Sequence, residues 1–174
     1  IDLKRLMMFK GQNRPMRRVH ALVLLLLDTG LRISEALTLE RGRVDLEHRS
    51  VTVNGKGSRE RMIPISAEGR KALFVWLSRS KGRYVFSTST EGRLSYRNAY
   101  RDMQQLCTRA GITQHLHPHL LRHAFAVNYI RAGGDVYRLS RILGHSNITT
   151  TSLYLRSMGF EALQEGHRSP LSAS

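Results

Sequence analysis

The chain has 174 residues, of which 41% are hydrophobic and 24% charged, so it is long enough and apolar enough to bury the core of one domain. Lys and Arg number 28 against 13 Asp and Glu, and the formal net charge of +15 excludes a neutral surface and favours a polyanionic partner. Because 23 of these cations are arginines, whose planar fork matches pairs of phosphate oxygens, nucleic acid is the favoured partner.

Cysteine content and apolar runs bear on the compartment. The single Cys107 excludes an intramolecular disulfide framework and a cysteine-rich zinc site, and it suits a reducing cytosol. The longest apolar run, residues 21–27, is far shorter than the roughly 20 residues that a membrane span needs. No secretory signal pattern opens the chain, and a first residue of Ile1 indicates a fragment or a processed piece.

The first predicted element is a helix over residues 15–28, in which apolar residues recur at helical spacing. Pro15 suits a first turn and Gly30 supplies a stop, so a deeply buried helix is expected there. A short second helix, reinforced by Ser34, follows and ends near residue 39. Arg32 is therefore expected at a helix start, where backbone N–H groups also favour anions.

The middle of the chain predicts a hairpin. Two runs rich in β-branched residues, 50–53 and 61–65, flank the turn sequence Asn54-Gly55-Lys56-Gly57, which puts Lys56 at the hairpin tip. The stretch 84–86 is a candidate for a short extended segment. Apolar periodicity predicts five further helices, over residues 67–77, 96–109, 119–131, 136–143 and 148–155.

These elements predict a fold that is mainly α with a small antiparallel β-hairpin or sheet (α+β). No internal repeat or Pro- and Ser-rich linker divides the chain. We therefore expect a single domain over residues 1–174, with a core over about 15–158 and a C-terminal tail over about 159–174.

Two polar pairs stand at helical spacing. Arg32 and Glu35 are three residues apart, and by themselves they fit either a phosphate-binding arginine or a surface ion pair. His119 and Arg122 are also three apart, so both project from nearly the same helix face and can hold a phosphoryl group between them.

Histidines crowd the second pair, at His115, His117 and His123, which raises metal binding as an alternative. His119 and His123 have metal-ligand spacing. No Glu follows His119 as a metalloprotease motif requires, and the chain has no cysteine cluster. Helix entry or core packing is the expected role of the other three histidines.

Further along, Leu143, Gly144 and His145 end a predicted helix, and Tyr154 follows nine residues after His145. Alone, such a tyrosine fits a core position with a satisfied hydroxyl. Taken in chain order, however, the whole set resembles the tyrosine recombinase (phage integrase) family over residues 18–158: Arg32 with Glu35, Lys56, His119 with Arg122, His145 and Tyr154.

The resemblance implies the catalytic-domain fold of that family and a DNA strand-exchange enzyme that needs neither ATP nor metal. It makes Tyr154 the nucleophile that becomes linked to the 3′ phosphate. Arg32 and Arg122 correspond to the pair that clamps the non-bridging oxygens of the scissile phosphate.

The remaining roles also come from the resemblance. Lys56 corresponds to the hairpin lysine that protonates the departing 5′ oxygen. His119 corresponds to the acid–base histidine, and His145 to the residue that hydrogen-bonds a non-bridging oxygen. Glu35 corresponds to the acidic residue that supports the site from behind. No cofactor or metal ligand is expected.

The partners implied are double-stranded DNA and further copies of the chain. Family members assemble as tetramers on two DNA sites, with a monomer as the alternative for the free chain, in a cytoplasmic, nucleoid-associated setting without membrane contact. The family's N-terminal DNA-binding domain is absent from this sequence, so weak DNA binding is expected. Phe160, Leu163 and Leu171 are candidates for docking on a neighbour or on their own subunit.

Three alternatives stand beside this interpretation. A non-catalytic DNA-binding module would explain the charge but not the catalytic set. A histidine-ligated metalloenzyme would show bound metal and sensitivity to chelators. A type IB topoisomerase uses similar groups, but the sequence around His119 and His145 favours a recombinase.

Overall fold

The structure of the chain, a computed structural model, describes residues 2–55, 60–88, 92–145 and residue 151. This part is mainly helical with one small antiparallel sheet, so the predicted fold class is confirmed. Its helices are α1 (Leu3–Met8), α2 (Arg14–Thr29), α3 (Ile33–Thr38), α4 (Ala67–Leu77), α5 (Tyr96–Ala110), α6 (Pro118–Arg131) and α7 (Val136–Leu143). Its strands are β1 (Val44–Asp45), β2 (Ser50–Asn54) and β3 (Glu60–Pro64).

Helix α2 is the centre of the fold, and it packs against α4, α5 and α6. Its first turn is capped by Asn13, whose side chain accepts a hydrogen bond from the Met16 N–H. Its last turn ends at Gly30, which has a left-handed φ of 63° that glycine adopts without steric cost. The predicted helix over 15–28 is thus confirmed and is one residue longer at each end.

A buried ion pair also joins α2 to α5. Nη2 of Arg18 lies 3.0 Å from Oδ2 of Asp102, and both side chains are almost completely buried. Nη1 of Arg18 donates to the Ser87 carbonyl. Removal of either partner would leave an unpaired charge buried in the core, which is strongly destabilising. The contact therefore fixes α5 against α2.

The three strands form a sheet in the order β1, β2, β3, with both pairs antiparallel. In the β2–β3 hairpin Val51 lies opposite Ile63 and Val53 lies opposite Arg61. The predicted hairpin is confirmed, whereas its tip, including Lys56, lies outside the described residues. The two-residue strand β1 was not predicted, because so short a segment has no period that a sequence pattern can show.

The other predictions have mixed outcomes. Helices α4 to α7 confirm the predicted ranges to within one residue, and the extended stretch appears as a bridge between Tyr84 and Glu40. Helix α1, with Leu6 as its one buried residue, was not predicted. The predicted helix over 148–155 lies outside the described residues except for Thr151. Within the described residues, no helix is both long and apolar enough to cross a membrane.

Candidate active site

The candidate site begins at the start of α3, where Arg32 and Glu35 form a local unit. Arg32 is the N-cap residue, and its backbone N–H donates to Oε2 of Glu35 at 2.9 Å. Nη1 of Arg32 also donates to Oε1 of Glu35 at 3.1 Å. The Arg32 side chain remains 41% exposed, so its guanidinium is held from behind by Glu35 and is still open to a ligand.

Arg122 of α6 lies beside this unit and is buried. Nη1 donates to the carbonyl of Gly30 at 2.6 Å, and Nη2 donates to the carbonyl of Leu143 at 2.8 Å. These carbonyls stand at the C-terminal ends of α2 and α7, where unpaired carbonyls and the helix dipole favour a cation. Arg122 therefore ties three helices together at one point.

His145, just beyond α7, completes the contact with Arg122. Its Nε2 lies 3.0 Å from Nη2 of Arg122, and its Nδ1 lies 2.9 Å from Oγ1 of Thr151. A guanidinium can only donate, so Nε2 accepts and the ring proton sits on Nδ1, which donates to Thr151. The two contacts therefore define one tautomer.

The electrostatic surroundings keep that ring neutral. Burial, followed by the positive charges of Arg122, Arg32 and Arg61, lowers the pKa of His145 to about 4. Neutral imidazole is thus the form present at neutral pH, and it can share a small space with these guanidiniums without charge repulsion.

Arg61 of β3 is a member of this cluster that the sequence did not reveal. Its Nη2 donates to Oε2 of Glu35 at 2.8 Å, and its Nε donates to the carbonyl of Ile142 at 3.0 Å. A lone arginine in a strand is normally a solvated position. The sequence did contain one indication that Arg61 faces inward. Arg61 is two residues before Ile63 in the same strand, alternate strand residues share a face, and Ile63 is fully buried.

Glu35 lies between two arginines and is 9% exposed. Burial by itself would raise the pKa of this carboxyl group. The hydrogen bonds and charges of Arg61 and Arg32 outweigh burial and hold the pKa of Glu35 below its ordinary value. Glu35 is consequently an anion that can orient both guanidiniums.

Two of the other histidines have partners of their own. His117 caps α6 by accepting from the Leu120 N–H, which confirms its expected role at helix entry. His115 pairs with the side chain of Gln104. His119 is exposed on the first turn of α6.

Two predicted site residues, Lys56 and Tyr154, lie outside the described residues. Across the ranges that the structure does describe, no three His, Cys, Asp or Glu side chains are grouped as metal ligands would be. The structure brings together four of the residues predicted from the sequence: Arg32, Glu35, Arg122 and His145. It adds Arg61 and Thr151 to this cluster.

The chemistry of the cluster is that of an oxyanion site. Three guanidiniums face one carboxylate and one neutral imidazole, so the side chains of Arg32, Arg61, Arg122, Glu35 and His145 retain a net positive charge. The donors are already oriented by helix ends and by Glu35. Preorganised donors of this kind stabilise negative charge that develops in a transition state.

Comparison with known proteins identifies relatives of this chain. A model of the phage integrase family matches residues 2–159. The tyrosine recombinase XerC of Actinobacillus pleuropneumoniae is 40% identical over 139 residues, which are 77% of this chain and 45% of that protein. The chain thus spans a little under half the length of this relative.

Solved structures agree in fold. The crystal structure of the XerA recombinase matches with a TM-score of 0.79 and 31% identity, covering 95% of this chain and 62% of that one. The XerH site-specific recombinase, solved bound to its difH substrate, matches with a TM-score of 0.74 and 23% identity, covering 88% of this chain and 47% of that one. The likeness to XerA confirms the fold that the sequence resemblance implied.

Proposed function

Because the chain belongs to the phage integrase family, we propose that it is a site-specific DNA recombinase that cleaves and rejoins strands through a covalent 3′-phosphotyrosine. The observation that carries this proposal is the convergence of Arg32, Arg122 and His145 from three separate segments on one positively charged point. A phosphodiester is the DNA group whose charge and oxygens suit such a point.

The proposed cleavage step is a transesterification. The phenolic oxygen of Tyr154 attacks the scissile phosphorus, a bond forms between that oxygen and the 3′ phosphate, and the bond from phosphorus to the 5′ oxygen breaks. Lys56 gives its proton to the departing 5′ oxygen. Since one phosphodiester replaces another, a DNA 5′ hydroxyl can reverse the step without ATP.

Arg32 and Arg122 bind the non-bridging oxygens and stabilise the charge that develops on them in the transition state. With two guanidiniums in this role, the step does not call for a metal ion. Glu35 keeps Arg32 oriented from behind. His119, exposed on the first turn of α6, is proposed to accept the Tyr154 proton.

His145 is proposed to donate from Nε2 to a non-bridging oxygen. In the absence of DNA that nitrogen accepts from Arg122. Entry of a phosphate between the two residues replaces this contact, so the ring then needs a proton on Nε2. Phosphate binding is therefore expected to raise the pKa of His145, because an adjacent anion favours the charged ring.

Double-stranded DNA is the proposed substrate, and the net charge of +15 supports this through contacts to the backbone. The XerH recombinase, a structural neighbour solved bound to its difH substrate, supports the same substrate class. We further propose that the active assembly is a homotetramer on DNA at the bacterial nucleoid, and that residues 1–174 act as one catalytic domain.

The decisive experiment uses nicked duplexes in which the short leaving strand diffuses away after cleavage, so that the covalent adduct accumulates. The probe is a pool of such duplexes with randomised sequence, incubated with the chain in EDTA and resolved on a denaturing gel. We expect an adduct from the wild type and none from Tyr154→Phe.

The matched control is Tyr137→Phe, since Tyr137 of α7 is 60% exposed and lies outside the proposed machinery. It is expected to keep the adduct. If the wild type binds DNA but forms no adduct, the protein is a non-catalytic DNA-binding module and the proposed function is wrong. An adduct that persists in Tyr154→Phe would exclude this nucleophile.

A further inference from the structure

Arg61 joins two parts of the molecule that are far apart in sequence. Through Nη2 it holds Glu35 of α3 at 2.8 Å, and through Nε it holds the Ile142 carbonyl of α7 at 3.0 Å. Its side chain is 14% exposed. One strand residue thus connects the helix that starts at Arg32 with the helix that leads to His145.

The packing against Gly144 shows how closely the guanidinium fits. A Cβ at Gly144 would lie 2.9 Å from Cζ and 3.0 Å from Nη1 of Arg61. Gly144 also offers its carbonyl to Nη2 of Arg32 at 3.3 Å. The backbone at Gly144 therefore lies between the guanidinium of Arg61 and that of Arg32.

Glu35 transmits the position of Arg61 to Arg32. Oε2 accepts from Arg61 and from the Arg32 backbone, while Oε1 accepts from the Arg32 guanidinium. Rotation of the carboxylate would move both oxygens together. As long as Arg61 holds Oε2, the plane of the carboxylate and the direction of Nη1 of Arg32 are defined.

The arrangement requires an arginine. The fork supplies two donors in one plane, one for a carboxylate and one for a carbonyl, which a lysine ammonium does not match. Nη1 of Arg61 is buried and has no hydrogen-bond partner in the part of the chain that the structure describes. An orphaned donor costs stability, so the residue is poorly explained as a purely structural contact.

We propose that Arg61 is a positioning residue, which acts through Glu35 to orient the Arg32 guanidinium towards the scissile phosphate. Its hydrogen bond to the Ile142 carbonyl also fixes α7 relative to α3. The inference rests on the proposed recombinase function and adds a residue to it. Arg61 itself touches no reacting atom; its effect on the reaction passes through Arg32.

The test compares two nicked substrates. One carries the natural scissile phosphate, and the other carries a methylphosphonate there, in which a neutral methyl group replaces one charged non-bridging oxygen. Cleavage of the methylphosphonate depends much less on the arginine pair, because less negative charge develops on its phosphorus centre in the transition state. Rates of adduct formation are measured for the wild type and for Arg61→Gln on both.

On the natural phosphate we expect Arg61→Gln to slow adduct formation by about 10–100-fold, the range for a misplaced catalytic group. On the methylphosphonate we expect the wild type and the variant to agree within about threefold. The matched control is Arg43→Gln, which removes the exposed pair of Arg43 with Glu60 at the edge of the same sheet and should alter neither rate.

Equal losses on both substrates, or no loss on either, would overturn the inference and leave the proposed function standing. A wild type that forms no adduct on either DNA would overturn both. If Arg61→Gln unfolds at the assay temperature, Arg61→Lys keeps the charge, loses the planar fork and carries the same comparison. It must then show the same substrate-dependent loss, and its absence would equally overturn the inference.

Discussion

Nε2 of His145 lies 3.0 Å from Nη2 of Arg122, so the histidine accepts a hydrogen bond from a residue that is permanently charged. This contact determines the tautomer, since the remaining proton must sit on Nδ1, facing Thr151 at 2.9 Å. It also places a neutral ring in the middle of a cationic cluster. The first prediction follows from that neutrality.

Acid should destabilise the protein through His145. The pKa of His145 is lowered to about 4 in the folded protein, against 6.5 in the unfolded chain. Between these pH values the ring binds a proton in the unfolded state but not in the folded state. The stabilisation from a neutral ring is present above pH 6.5 and is lost as the pH falls towards 4. Denaturant unfolding at pH 7.5 and pH 5 measures this loss.

For that prediction the reference is His145→Gln, which cannot titrate. The wild type should lose more free energy of unfolding than the variant, by on the order of 1 kcal/mol, because partial exposure of the ring screens the effect. Equal losses in the two proteins would show that the ring is not held neutral. The comparison cancels other groups that titrate in the same range.

A methyl group at Gly144 should damage the site beyond its cost to the backbone. Gly144 has a φ of 65° and packs on the Arg61 guanidinium, so Gly144→Ala adds a clash to left-handed strain. Gly133→Ala is the control, with a φ of 82° and open space around it. Both should lose about 1 kcal/mol of stability from strain.

Only Gly144→Ala should also slow adduct formation, by about 10-fold or more, because Arg61 and the Gly144 carbonyl are displaced together. Rates are measured on the natural nicked duplex at a temperature where both variants are folded. A Gly133→Ala rate as low as that of Gly144→Ala would mean that strain alone explains the loss.

Replacing Arg122 by lysine should reduce both stability and activity. The ammonium group keeps the charge but cannot reach the carbonyls of Gly30 and Leu143 and His145 in one plane. We expect a loss of about 2–4 kcal/mol in the free energy of unfolding, as for a broken buried charge network. Adduct formation should fall by about 100-fold.

Arg131→Lys, an exposed change at the end of the same helix, provides the reference for Arg122→Lys. Its melting temperature and rate should equal those of the wild type, since it leaves the helix ends at Gly30 and Leu143 untouched. Thermal melting and the adduct assay together decide the comparison. Wild-type activity in Arg122→Lys would exclude a role for the planar fork.

His119→Gln should affect chemistry without affecting the fold. The ring is exposed, so the melting temperature should be unchanged, whereas loss of a general base should slow adduct formation by about 100-fold. His115→Gln tests a neighbouring histidine whose ring contacts Gln104, and it should retain the rate. A pH–rate profile that is identical in His119→Gln and the wild type would contradict the assignment.

Much of the fold could be predicted because its signals are local. Pro15 and Gly30 mark the ends of α2 within a few residues of the apolar pattern they enclose. The hairpin was predictable from its turn sequence between β-branched runs. Helix α1 and strand β1 were missed because each is short and depends on packing against α2 or β2.

The sequence by itself determined the charge of the protein, the order of helices α2 to α7 and the family that its polar residues resemble, since each is encoded by composition or by spacing along the chain. Only the tertiary structure decided that Arg61 holds Glu35, that Arg122 caps two helix ends, and that His145 is neutral. The physical reason is that hydrogen-bond partners and pKa values depend on burial and on charges brought close by folding, from residues as far apart in sequence as Gly30 and Arg122.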